Sequence, residues 1–156
     1  METNKKQIIQ IIITIASIVV VAALGSIFVN LGMDWFNSLN KPSQWIPNIV
    51  IPIVWTIIYL TYAIVLFFWI KNYKLSRNIV IALIVNGILN VLWCLVFFTL
   101  QQTFLGLIII VLNLIASYIL FFLMYKEQKL YSIFTFIYPI WLSLATTLNL
   151  ALWILN

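Results

Sequence analysis

The chain has 156 residues, 65% of them hydrophobic and only 7% charged, where an ordinary soluble domain carries roughly 25% charged residues. So little polar surface cannot cover the chain in water, which excludes a soluble globule and points to an integral membrane protein. The net charge of +5 lies in short loops, where it reads as membrane orientation; it has no folded context for nucleic acid, and none is expected as a partner. There is one cysteine, Cys94, and no histidine. An intramolecular disulfide is therefore impossible. The usual ligands for zinc, di-iron or His-ligated haem are also missing, so no metal site and no required cofactor are expected.

Five apolar runs follow in order, at about residues 8–29, 47–70, 79–100, 103–125 and 131–155. Each has the roughly 20 residues of a spanning helix. The first follows Lys5 and Lys6 but is longer than the 7–15 residues typical of a signal h-region. The runs are continuously apolar rather than alternating, which excludes a strand barrel. The expected fold class is an all-α membrane protein, a five-transmembrane-helix bundle forming a single domain over 1–156. The breaks at 71–78, 101–102 and 126–130 are short and make successive helices antiparallel neighbours. Only the first connection, 30–46, is long.

Lys5, Lys6, Lys71, Lys74, Arg77, Lys126 and Lys129 collect at one end of such a bundle, with Lys41 alone at the other. The positive-inside rule places the N-terminus in the cytoplasm, and the C-terminus and loop 30–46 outside.

The stretch from Asp34 to Tyr59 holds Trp35, Trp45 and Trp55 together with Pro42, Pro47 and Pro52. Leu31-Gly32 suits an exit from the first helix, and Asp34 suits the N-cap of a short helical turn through Leu39. Pro42 and Pro47 fix φ and lack an amide donor, so the segment cannot simply extend either helix. Trp35 and Trp45 taken singly fit an interfacial aromatic belt. Combined with Lys41, Pro42 and Pro47, they fit a packed lid.

Below this loop, polar and aromatic residues recur at helical spacing. Trp55, Tyr59 and Tyr62 share a face of the second helix. Asn86, Asn90, Trp93 and Phe97 share one in the third, and Trp141, Ala145, Asn149 and Trp153 align in the fifth. The fourth contributes Asn113 and Ser117. Such stripes are either interhelical glue or the wall of a pocket for a bulky, mostly apolar ligand. At about 1.5 Å per residue, a second helix starting at Pro47 puts Trp55 about 12 Å below its outer end. The stripes then converge beneath the loop, which favours a pocket. No charged residue lies within the spans, and no repeat pair is evident, which argues against a proton relay or coupled transport.

The segments Trp35-Phe36-x-x-Leu39-x-Lys41-Pro42-Ser43, Pro47-Asn48 and Val54-Trp55-Thr56-x-x-Tyr59 resemble the signature of the TspO/MBR family, the translocator or tryptophan-rich sensory proteins. Leu89-Asn90-x-x-Trp93-x-x-x-Phe97-Phe98 and Trp141-Leu142-x-x-Ala145-Thr146-Thr147-Leu148-Asn149 extend the resemblance over essentially the whole chain. It implies a homodimeric five-helix bundle in a bacterial cytoplasmic membrane, with a pocket near one membrane face covered by the first loop. The implied ligands are tetrapyrroles such as protoporphyrin IX, sterols in some members, and isoquinoline-carboxamide-type drugs.

By matching position, the ligand-binding set comprises Trp45, Trp55, Tyr59, Tyr62, Asn90, Trp93, Phe97, Trp141, Ala145 and Asn149, and the lid set Trp35, Lys41, Pro42 and Pro47. Binding and sensing is the leading expectation. The alternatives are light-dependent porphyrin degradation, with Trp55 and Trp141 as the catalytic pair and porphyrin as substrate, and porphyrin or lipid transport. This chain departs from the family pattern at Gln44-Trp45-Ile46-Pro47 in the loop tip. A second departure is Pro139, two residues before Trp141, where the family usually has a proline four before. The sterol-recognition pattern that some members carry after the fifth helix is absent.

Overall fold

The computed structural model describes residues 2–43 and 45–156, with side chains from Asn4 onward. Five helical spans are long and apolar enough to cross a membrane, as the apolar runs require. They are α1 (Glu2–Leu31), α3 (Val50–Asn72), α4 (Arg77–Cys94) continued by a π-helical turn (Leu95–Thr99), α5 (Thr103–Glu127), and the pair α6 (Lys129–Thr135) and α7 (Ile137–Leu155). A short helix, α2 (Met33–Ser38), follows α1. No strand occurs among the described residues.

Helix contacts run in a ring in which α1 packs on α3 and α4, α4 on α5, α5 on α6 and α7, and these on α3. Lipid-facing positions stay apolar and exposed, as with Ile12, Ile64, Ile84, Ile115 and Ile140. Exposed apolar surface on this scale is stable only against hydrocarbon.

Side-chain bonds fix the ends of α1. At the lysine-rich end, Gln7 Nε2 donates to the carbonyls of Ile70 (2.7 Å) and Lys71 (2.8 Å), two of the free carbonyls that end α3. At the other end, Thr99 Oγ1 donates to the Phe28 carbonyl at 2.9 Å. Between these ties α1 is thinly packed, and Gly25 is the sole buried residue from Asn4 to Leu31.

Three expectations change in detail. The second span begins at Val50 rather than Pro47, after a turn closed by Val50 N donating to the Pro47 carbonyl. Trp55 is therefore about 7–8 Å below the helix end, not 12 Å. Asp34 does not cap α2. Gly32 occupies that position without a side-chain bond, and Asp34 sits in the first turn, where its charge favours the helix dipole.

The fifth span is broken at Phe136, between α6 and α7. Pro139 has no N–H to offer the carbonyl four residues earlier, that of Thr135, so the helix parts there. The break sets the direction from which Trp141 enters the bundle.

Candidate functional site

The loop end of the bundle is filled by aromatic rings. Trp93 of α4 stacks between Trp55 of α3 (6.1 Å between centroids) and Phe97 of the π turn (6.0 Å). Trp35 of α2 meets Phe97 edge-on at 5.6 Å. Phe36 packs against Phe98 at 5.2 Å and Trp45 at 6.1 Å. Seven of the expected ligand-binding residues, Trp45, Trp55, Trp93, Phe97, Trp141, Ala145 and Asn149, line one cavity here. It leaves only about 30 Å³ of free space, room for about two water molecules.

The remaining three lie elsewhere. Tyr59, Tyr62 and Asn90 line a separate cleft beside α1. The stripe along α3 therefore divides: Trp55 lines the aromatic cavity, Tyr59 lies close to Gly25 of α1, and the Tyr62 ring meets Tyr138 of α7 edge-on. The stripe along α7 also ends early. Each i+4 step drifts about 40° around a helix of 3.6 residues per turn, so after three steps Trp153 is 42% exposed and packs on Phe104 instead.

Five residues complete the cavity lining: Phe36, Ile51, Phe98, Leu148 and Leu152. Ile51 was legible at i−4 from Trp55, Leu148 at i+3 from Ala145, and Leu152 at i+3 from Asn149. Phe98 was not. An α-helix would turn Phe98 about 100° away from Phe97, but the wider π turn buries both, at 1% and 5% exposure.

The polar edge of the site is largely satisfied within the protein. Asn149 Oδ1 accepts from Trp93 Nε1 at 3.1 Å, and its Nδ2 donates to the Ala145 carbonyl at 2.9 Å. Asn90 Nδ2 donates to Tyr59 Oη at 3.3 Å. The exception is the indole N–H of Trp141, which is buried without an acceptor. Asn113 of α5 accepts at Oδ1 from Tyr138 Oη at 3.2 Å, the interhelical bonding that its sequence position suggested, while its Nδ2 is also buried without an acceptor.

Over the cavity, Lys41 Nζ donates to the Phe36 carbonyl at 2.8 Å and lies 4.7 Å from the Phe36 ring centre. A cation is favourable there, at the C-terminal end of α2 and over an aromatic face. Partial burial lowers the pKa of Lys41 from its ordinary value. Trp45 N–H closes a turn on the Pro42 carbonyl at 3.0 Å, and the Trp45 indole donates to Asn48 Oδ1 at 3.0 Å. Pro47 is exposed. Gln44, part of the unusual loop tip, lies outside the described residues.

The start of this segment is joined to the C-terminal residue by a two-point clamp. Asn40 N donates to Asn156 Oδ1 (2.9 Å), and Asn156 Nδ2 donates back to the Asn40 carbonyl (3.1 Å) and to that of Leu152 (2.9 Å). Asn156→Ala is expected to raise the accessibility of Trp45 to a water-soluble quencher such as iodide, with little change in helicity. Unchanged quenching would show that the clamp does not hold the segment down.

The TspO/MBR family model matches residues 13–154. The chain belongs to the TspO/MBR family. Tryptophan-rich protein TspO of Archaeoglobus fulgidus is 27% identical over 151 residues, covering 96% of this chain and 98% of the relative. Protein CrtK of Rhodobacter capsulatus is 26% identical over 126 residues, covering 78% of each. The cavity of this TspO/MBR chain is thus part of a tryptophan-rich integral membrane protein, with tryptophans supplied by the loop and by α3, α4 and α7.

Proposed function

We propose that this chain binds flat, largely apolar aromatic ligands of the tetrapyrrole class, such as protoporphyrin IX, in the aromatic cavity, as a binding and sensing protein. The observation that carries this reading is the convergence of four tryptophans, Trp45, Trp55, Trp93 and Trp141, around one space; the Trp141 indole N–H is buried without an acceptor. Indole faces suit a planar π-system, and a buried N–H without an acceptor suits a ligand carbonyl or carboxylate edge. A cavity of about 30 Å³ does not hold a tetrapyrrole, so binding requires the segment from Leu39 to Ile49 to lift as a lid. Trp35, Lys41, Pro42 and Pro47 would govern that movement. The lysine-rich end faces the cytoplasm in this reading, and the lid faces outward.

Any turnover would use the photochemistry of the bound porphyrin, with Trp55 and Trp141 as redox partners, since the cavity lining holds no acid, base or nucleophile among the described residues. The test is titration of the purified protein with protoporphyrin IX, followed by illumination, for wild type, Trp55→Phe and Trp141→Phe. Saturable quenching of tryptophan emission, with weaker binding in Trp141→Phe, is the expected result. A new absorbing product that disappears in either variant while affinity is retained would favour an enzyme. Failure of wild type to bind overturns the proposal.

A further inference from the structure

The aromatic cavity is walled on one side by the loop end of the chain, through Phe36 of α2 and Trp45, and on another by α7, through Trp141, Ala145, Asn149 and Leu152. Asn40 lies between Phe36 and Trp45 in the chain. Its backbone is where the loop side is hydrogen-bonded to α7, by the pair of bonds to the Asn156 side chain. Among the described residues, the other hydrogen bonds of residues 40–49 end within the segment, on α2 or at the first residue of α3.

The α7 end of this clamp belongs to the cavity wall as well. Asn156 is one i+4 step beyond Leu152, which puts the two on one helix face, and Asn156 Nδ2 also donates to the Leu152 carbonyl at 2.9 Å. The Leu152 side chain is buried and lines the cavity. The clamp thus joins two walls of the same space. Its bonds measure 2.9 and 3.1 Å. Bonds of this type span about 2.7–3.2 Å, so the walls cannot separate at this point with the clamp intact.

A cavity of about 30 Å³ admits a tetrapyrrole only when its walls part. We infer that the Asn40–Asn156 clamp is an autoinhibitory latch on the aromatic cavity, released when a ligand parts the loop side from α7. The latch rests on the binding function proposed above and links occupancy to the exposed loop face. The Asn40 peptide groups and the Asn156 amide, bonded to one another while the walls are closed, are freed as the cavity fills.

Such coupling is reciprocal. A ligand that opens the latch binds a latch-free variant more tightly, because a larger fraction of the protein is then in the binding-competent form. Loss of the clamp therefore acts in two measurable ways: it exposes the cavity before any ligand is added, and it raises affinity.

The experiment uses the purified full chain in detergent. Ala145→Cys places a thiol in the cavity wall, and its modification by a water-soluble methanethiosulfonate reagent is timed with and without Asn156→Ala. The chain without the Ala145 substitution, whose Cys94 is buried, gives the background. Asn156→Ala should speed modification by roughly five- to tenfold, the contribution of one net hydrogen bond, and should raise affinity for protoporphyrin IX by a similar factor. Equal modification rates overturn the latch. Faster modification with unchanged affinity, in a chain that binds, overturns the link between latch and occupancy. Failure of every variant to bind protoporphyrin IX overturns the proposed function instead, and the modification rates then judge the latch alone. If Asn156→Ala frays the end of α7, Asn156→Asp decides: it keeps an acceptor for Asn40 N, loses both donated bonds, and should give an intermediate rate.

Discussion

Gly32→Ala is expected to lower the thermal unfolding midpoint sharply and to loosen the whole loop end of the bundle. A β-carbon at Gly32 would lie 2.1 Å from the Phe98 carbonyl oxygen and 2.4 Å from its carbon. These are backbone atoms at the π turn and cannot rotate away. The φ of Gly32, −107°, is open to any residue, so the requirement is for space and not for conformation. Overpacking costs typically about 1–3 kcal/mol, and a clash with backbone belongs at the top of that range or above it.

Gly25→Ala is the control. Its β-carbon would meet Cys94 Sγ at 3.4 Å, an ordinary contact, and should change stability little. The pair is compared by thermal denaturation in one detergent, with tryptophan emission followed in parallel. Equal midpoints for the two variants would mean that α1 and the π turn are not locked together at Gly32.

Trp93→Ala is expected to have the second large effect, about 3–5 kcal/mol, from removing a large buried side chain. Trp93 is 5% exposed, stacks on Trp55 and Phe97, and donates to Asn149. Its loss removes three ring contacts, with Trp55, Phe97 and Phe98, and leaves Asn149 Oδ1 unpaired. Trp93→Phe separates these contributions, since it keeps a ring in the stack and loses the N–H. It should cost about 1–3 kcal/mol, the penalty of an orphaned buried acceptor. Adding Asn149→Leu to Trp93→Phe should recover part of that loss, because no polar atom then remains unpaired. Denaturation midpoints of the single and double variants measure the coupling directly.

The five spans and the uneven distribution of lysine and arginine were legible from composition and run length alone, whereas the start of the second span and the break in the fifth were not. A hydrocarbon solvent imposes one dominant constraint, about 20 apolar residues with every backbone group internally bonded, and that constraint is written locally in the chain. Family membership was legible for a similar reason, since the motifs that carry the resemblance, such as Asn90-x-x-Trp93 and Trp141 to Asn149, each lie within one helix.

The assignment of those residues to cavities was not legible. Helical spacing places Trp55, Tyr59 and Tyr62 on one side of α3, but that side is broad enough to face two neighbours. Packing between helices decides that Tyr59 lies close to α1, that Tyr62 meets Tyr138 of α7, and that Trp55 joins the aromatic rings. Phe98 entered the site through the π turn, and Trp141 through the break at Phe136. Both are backbone departures whose extent depends on what packs against them.

From sequence alone, then, this protein is determined to be a five-helix TspO/MBR membrane bundle with tryptophans gathered under its first loop. Tertiary structure decided that these rings leave only about 30 Å³ between them, that Asn149 is committed to Trp93, and that a wide groove lies open beside α1. The physical reason is that membrane insertion and helix formation depend on local composition. Cavity shape depends on the distances and rotations between helices, which side-chain contacts such as Gly32 on Phe98 and Gln7 on the end of α3 set only once the bundle has assembled.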